Sequence, residues 1–157
     1  MKKQLLSLFL LMSLCLLFLT ACGSQSQPVK KGEKLHVVAT TTMLTDLVSQ
    51  IGGADVPVTG LMGPGVDPHL YQAGAGDVTT LSGADLIVCN GLHLEGKMGD
   101  VLKNVENKGI STVYVADSLP AESILTYENE GASAQDPHIW FYVAKWKSAA
   151  TSLEKAL

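Results

Sequence analysis

One tripeptide, Asp-Pro-His, occurs twice in this sequence and carries the side chains best suited to metal chemistry. The two copies are Asp67-Pro68-His69 and Asp136-Pro137-His138. Imidazole is the commonest metal ligand in proteins, and proline fixes a backbone dihedral beside each imidazole, which stiffens the loop. The pattern indicates that His69 and His138 are pre-oriented ligands for a divalent metal, while the aspartate and proline of each copy shape its loop. The sequence leaves a second interpretation open, in which each aspartate caps a rigid turn and each histidine is only solvated.

A second group of candidates lies in the segment Asn90-Gly91-Leu92-His93-Leu94-Glu95. His93 is either a third ligand or, in the interpretation that we favour, a residue that packs or hydrogen-bonds beside the site. Glu95, the acidic side chain of the same segment, has the same two possible roles. His36 lies in an apolar run, where a strand histidine with a local hydrogen-bond partner is a better interpretation than a ligand.

Short apolar runs alternate along the chain with stretches that have the spacing of a helix face. The predicted strands are 35–40, 56–61, 86–89 and 112–115, and the predicted helices are 44–51, 77–81, 98–105 and 143–157. This alternation over short connections predicts βαβ units, and hence an α/β fold with a parallel sheet flanked by helices. Ligands bind at the carboxyl ends of the strands in such a sheet, and His69, His93 and His138 each follow a predicted strand.

The chain after the fourth predicted strand divides into two parts. Segment 116–135 is polar, acidic and weakly patterned, so we expect it to be mostly loop. The stretch 143–157 has the composition of a helix with one buried stripe. The stripe is formed by Trp146, Ala149, Ala150 and Leu153.

Residues 1–21 have the features of a bacterial signal peptide. Lys2 and Lys3 precede an apolar run that is too short and too abruptly ended to read as a spanning helix. The run closes on Leu19-Thr20-Ala21-Cys22, which resembles a lipobox, so we expect cleavage before Cys22 and lipid on its thiol. An ordinary secretory cleavage beside a stray cysteine is the alternative. We expect residues 22–34 to be a solvated tether at the extracytoplasmic face of a cell membrane.

The charge of the processed chain limits its partners. Without Lys2 and Lys3, 9 of the 11 basic residues remain, all lysine, against 15 acidic residues, which gives a net charge of −6. Nucleic acid is therefore not expected as a partner. Arginine, the best side chain for gripping phosphate or carboxylate, is absent, which favours a cation as ligand. Cys89 is the one cysteine left for the folded domain, and its apolar neighbours predict a buried, unreactive thiol.

Three motifs, in order and behind a lipobox, carry a family resemblance. They are Asp67-Pro68-His69-Leu70-Tyr71-Gln72, Asn90-Gly91-Leu92-His93-Leu94-Glu95 and Asp136-Pro137-His138-Ile139-Trp140-Phe141. From about Leu35 to its last residue, the sequence resembles the metal-binding receptors of bacterial ABC importers for manganese, zinc and iron. This is the TroA-like group, which includes streptococcal adhesin-type lipoproteins.

The resemblance implies an α/β lobe, residues 35–142, that binds a divalent ion, manganese or zinc, through His69 and His138. The position of His93 is not usually a ligand in the group. A membrane-anchored receptor of this kind passes its ion to an ABC permease and catalyses no reaction. Relatives have a second lobe, joined to the first by a long helix, that supplies two more ligands. We expect residues 143–157 to be the start of that helix and the second lobe to be absent from this chain.

Two local departures from the group have consequences. Relatives often have aspartate at the position of Tyr142, so the helix that follows is expected to lack that side-chain cap. Zinc receptors of the group often have a histidine-rich acidic loop where this chain has residues 127–135, which contain no histidine. This difference favours manganese over zinc as the natural ion.

Three other functions stay open at this point. A zinc hydrolase would need an acidic group to activate water at a two-histidine site, but the chain has no His-Glu-x-x-His arrangement, which makes this the least favoured alternative. A surface adhesin or interaction lipoprotein is compatible with the sequence. So is a fragment with no transport role.

Overall fold

The computed structural model describes residues 34–129 and 131–157. The expected signal peptide, Cys22 and almost all of the tether lie outside these residues. Across the described part of the chain, no helix has the length and hydropathy needed to cross a bilayer.

Four parallel strands form the central sheet. They are β1 (Val37–Ala39), β2 (Val58–Gly60), β3 (Leu86–Cys89) and β4 (Ser111–Tyr114), in the spatial order β2-β1-β3-β4. β1 is paired with β2 on one side and with β3 on the other, so that Val38 lies opposite both Thr59 and Ile87. The predicted α/β fold with a parallel sheet is confirmed.

Four helices accompany the sheet. They are α1 (Thr42–Gly52), α2 (Ala75–Ser82), α3 (Gly99–Asn107) and α4 (Val143–Glu154). Thr41 caps α1, since its hydroxyl oxygen accepts a hydrogen bond from the Leu44 amide at 3.4 Å. Gly53, at a φ of 55°, ends the helix in a conformation that glycine adopts without strain.

Side chains of the central strands alternate between two hydrophobic cores, because successive residues of a strand point to opposite faces. Val37 and Val88 belong to the core under α1 and α4, whereas Val38, Ile87 and Cys89 belong to the core under α2 and α3. Helices thus cover both faces of the sheet. This explains why β1 and β3 are continuous apolar runs.

Helix α4 closes the first core. Ala149 and Leu153 are fully buried, and Trp146 and Ala150 pack against the same cluster, so the predicted stripe is confirmed. Tyr142 occupies the N-cap position of α4 and provides no side-chain cap, as the departure from the family pattern predicts.

The prediction of mostly loop for segment 116–135 is wrong in part. β5 (Thr126–Asn129) and β6 (Ala132–Gln135) form a separate antiparallel pair, in which Asn129 lies opposite Ala132 and Gly131 has a φ of 82°. The side chains of this hairpin are mostly exposed, so hydrogen bonding between its strands, and not burial, holds it. A hydrophobic pattern therefore could not reveal it.

Cys89 at the end of β3 is fully buried. Burial raises the pKa of its thiol well above the ordinary value, and nearby Glu95 and Glu106 raise it further. A raised pKa keeps the thiol protonated and unreactive at neutral and mildly alkaline pH. We therefore expect iodoacetamide at about pH 8 to leave Cys89 unmodified in the folded chain and to alkylate it in denaturant. Peptide mass spectrometry measures this; rapid alkylation of Cys89 in the native protein would contradict it.

Candidate metal site

The two Asp-Pro-His loops meet beyond the carboxyl ends of the strands. His69 lies in the loop between β2 and α2, and His138 lies between β6 and α4. Their Nε2 atoms are 3.4 Å apart, and the ring centroids are 5.4 Å apart. The structure thus brings together two side chains that are 69 residues apart in the sequence.

Both triplets form the same turn. In the first, the backbone N–H of His69 donates to Asp67 Oδ1 at 2.9 Å, and in the second the backbone N–H of His138 donates to Asp136 Oδ1 at 3.0 Å. The structure thus contains the aspartate-capped turns of the second interpretation, and it also brings the two rings together. Rigid turns of this kind limit the positions that each ring can take.

The second triplet has an additional contact. His138 Nδ1 lies 2.6 Å from Asp136 Oδ1. In the tautomer with its proton on Nδ1, the ring donates to this carboxylate and Nε2 has a lone pair for a metal. The hydrogen bonds from the backbone and side chain of His138 lower the pKa of Asp136, so this carboxylate is charged at neutral pH. A carboxylate behind a ligating imidazole fixes its tautomer and raises its basicity.

The loop that carries His69 is hydrogen-bonded to the start of helix α2. The Tyr71 hydroxyl and the Gly74 N–H both donate to Asp77 Oδ2 at 2.8 Å. Burial and the contact with Asp77 raise the pKa of Tyr71, so its hydroxyl keeps its proton. These bonds fix the end of the segment between β2 and α2 to the first turn of α2.

Two aromatic side chains lie against the His138 ring. Trp140 makes an edge contact with the His138 ring at 5.2 Å between centroids, and Phe141 stacks at 6.5 Å. Phe141 is 74% exposed, so this side of the His138 ring is open to solvent. Ile139 is buried in the first core and anchors the segment that follows His138.

The other candidate residues lie apart from the paired rings. His93 is exposed, in a turn where its φ is 60°. Glu95 is buried, and its two oxygens accept hydrogen bonds from Thr40, Asn90 and Gly91. His36 directly precedes β1, and its ring lies within hydrogen-bond distance of Thr59 and Gly83, local partners of the kind expected for it.

Sequence reasoning missed Asn90, which is almost fully buried and whose amide donates to the Pro137 carbonyl at 2.9 Å. A polar residue directly after a buried strand was the available signal, but its partner is 47 residues away in the chain.

The geometry of the paired rings fits one metal ion. Two zinc–nitrogen bonds of about 2.05 Å, drawn from Nε2 atoms at 3.4 Å, meet at an angle of about 112°, close to tetrahedral. In the part of the chain that the structure describes, no group of three or more His, Cys, Asp or Glu side chains is arranged to hold a metal. Two imidazoles would thus fill part of a coordination sphere, and the other positions would be taken by water or by groups outside the described residues.

The structure is an α/β domain with two candidate metal ligands beyond the carboxyl edge of a parallel sheet. Comparison with known proteins specifies the family: residues 37–157 match the model of ZnuA, described as zinc-uptake complex component A, periplasmic. The chain belongs to this family.

Individual relatives agree with this assignment. The manganese-binding lipoprotein MntA of Bacillus subtilis is 43% identical over 136 residues, which are 87% of this chain and 44% of the relative. The zinc-binding protein TroA of Treponema pallidum is 45% identical over 121 residues, 77% of this chain and 38% of the relative. A solved structure of TroA has a TM-score of 0.72, with 44% identity, and covers 79% of this chain and 43% of that one. The chain thus spans about half, or less, of the length of the relatives it matches.

Proposed function

We propose that this chain captures a divalent cation outside the cytoplasm, as the substrate-binding lipoprotein of an ABC importer, and passes it to the permease. The single observation that carries the proposal is the pair of Nε2 atoms 3.4 Å apart, with one ring held by a charged carboxylate. His69 and His138 are the proposed ligands. The cation is the cargo, bound and released without a chemical reaction.

The charge of the surroundings supports a cation. Asp67 and Asp136 each lie two residues before a proposed ligand, and the described chain contains no arginine that would attract an anion. Imidazole ligands suit zinc, whereas oxygen ligands suit manganese, so two imidazoles with open positions are compatible with either ion in a complete site. One relative is named for manganese and another for zinc, and we propose one of these ions as the cargo.

The place of action follows from the N-terminal sequence. We propose that residues 1–21 are removed, that Cys22 carries the lipid and that residues 22–34 tether the domain to the membrane. Residues 35–142 then form the metal-binding lobe, and residues 143–157 begin a connecting helix. A tether keeps a receptor close to its permease, which a freely diffusing protein would not achieve.

Metal uptake by cells tests the proposal. Deletion of the gene is expected to reduce uptake of radioactive zinc or manganese at submicromolar metal, and the gene in its natural length is expected to restore it. The same gene with His69→Ala and His138→Ala is expected to fail, because the cargo loses both proposed ligands. Undiminished uptake by the double variant would contradict the proposal.

The two aspartates provide a matched pair of variants. Asp136→Asn is expected to lower zinc affinity by roughly 10- to 100-fold, because the charged partner of the His138 ring is lost. Asp67→Asn should have a much smaller effect, since Asp67 contacts the His69 backbone in the structure and keeps an acceptor oxygen in the variant. Calorimetric titration of both variants measures the difference. Equal affinities for the two would show that the Asp136–His138 contact has no role in binding.

A further inference from the structure

Asn90 connects the end of a central strand to the second Asp-Pro-His loop. It follows β3 directly, is 1% exposed, and donates from Nδ2 to the Pro137 carbonyl at 2.9 Å and to the Gly91 carbonyl at 3.1 Å. Proline has no N–H, so this carbonyl is the one backbone group through which Pro137 can be hydrogen-bonded. The Ile139 amide donates to the same oxygen at 2.8 Å.

Glu95 fixes the backbone of Asn90. Its Oε1 accepts from the Asn90 N–H and from the Thr40 hydroxyl, both at 2.7 Å, and its Oε2 accepts from the Gly91 N–H at 3.3 Å. All of these groups are buried, and a buried carboxylate is stable only when such donors surround it. Because Thr40 follows β1, Glu95 ties the carboxyl ends of the two central strands together.

The turn between Asn90 and Glu95 has an unfavourable backbone. Leu92 and His93, with φ values of 53° and 60°, lie in the left-handed region that side chains with a Cβ rarely adopt. The hydrogen bonds of Glu95 at the start of the turn, with the bond from the Leu94 N–H to the Gly91 carbonyl at 3.1 Å, hold this conformation. The position of the Asn90 side chain is therefore set by a rigid turn.

We propose that Asn90 is a positioning residue for metal binding, and that Glu95 acts through it. The Asn90 amide fixes the Pro137 carbonyl, and thereby the placement of His138, whose Nε2 must lie opposite that of His69 for one ion to be shared. This inference rests on the proposed function, since it concerns how the second ligand is held. Neither side chain is proposed as a ligand.

The test compares Asn90→Ala with Tyr114→Phe in the purified full-length chain. Tyr114→Phe is the matched control, because it removes one partly buried hydrogen bond of 2.8 Å, to Glu106, without affecting Pro137. Three readouts are used: zinc affinity by calorimetry, the visible absorption of bound cobalt, and hydrogen exchange of the His138 and Ile139 amides in the metal-free chain. Thermal unfolding of both variants checks that their folds are comparable.

Asn90→Ala is expected to lower zinc affinity by roughly 10- to 100-fold, the loss seen in other metal sites when a residue that supports a ligand is removed. It should also alter the cobalt spectrum and speed the exchange of both amides, while Tyr114→Phe leaves all three readouts near those of the wild type. If Asn90→Ala fails to fold, Asn90→Ser replaces it, because serine keeps a small polar group that is too short to reach Pro137.

Failure of the inference differs from failure of the proposed function. Wild-type zinc affinity in Asn90→Ala would overturn the role of Asn90 while the metal site stands. Wild-type zinc affinity in the variant lacking both His69 and His138 would overturn the proposed function.

Discussion

His138→Ala is expected to lower the zinc affinity of the chain by more than roughly 100-fold. This exceeds the loss seen when a residue that only hydrogen-bonds to a metal ligand is removed. The physical reason is the loss of one of two Nε2 donors that lie 3.4 Å apart. A single imidazole cannot chelate, so the ion would be held about as loosely as by any surface histidine. His69→Ala is expected to have an effect of the same size.

His93→Ala is the matched control for this prediction. It removes an exposed imidazole that also follows a strand of the sheet, but the structure does not bring His93 to the paired rings. Its zinc affinity should equal that of the wild type in calorimetric titration. An affinity loss for His93→Ala as large as that for His138→Ala would assign the metal to a different set of ligands.

Zinc is expected to bind this 157-residue chain at least roughly 100-fold more tightly than manganese, and copper more tightly than zinc. Two imidazoles leave at least half of the positions of the ion to water, so the affinity should follow the general order for divalent metals. Manganese, which prefers oxygen ligands and more of them, gains little from such a pair. Zinc binding itself should be weak compared with a site of four protein ligands.

Competition titrations with one chromophoric chelator measure both affinities under the same conditions. Binding of copper, zinc and manganese in that order would support a site of two imidazoles. Tight, stoichiometric manganese binding by the same chain would contradict the prediction, because it would require oxygen ligands that the described residues do not bring to the paired rings.

Much of the fold could be predicted because buried elements have recognisable hydrophobic patterns in the sequence. The central strands β1 and β3 are covered on both faces, so each is a continuous apolar run, and helices α1 and α4 each show one buried stripe. The hairpin of β5 and β6 has no such pattern, since it buries almost nothing. Its pairing depends on backbone hydrogen bonds, which every residue type except proline can supply.

The candidate site could be predicted in part, because its two proposed ligands lie in a motif that is visible in the sequence. His69 and His138 share a local motif, and the parallel sheet places the loops that follow its strands at one edge. The two roles left open for Glu95, and the role of Asn90, depended on contacts across the sheet, such as the 2.7 Å bond between Thr40 and Glu95, which are 55 residues apart. The sequence around a buried polar side chain such as Glu95 does not show which distant residue it will hydrogen-bond.

The zinc X-ray absorption spectrum of the zinc-loaded full-length chain tests the central claim most directly, because it counts the imidazoles on the ion. The account predicts two imidazole nitrogens at about 2.0–2.1 Å with the remaining ligands oxygen, and one imidazole in each of His69→Ala and His138→Ala. A spectrum without imidazole, or one that neither variant changes, would contradict it.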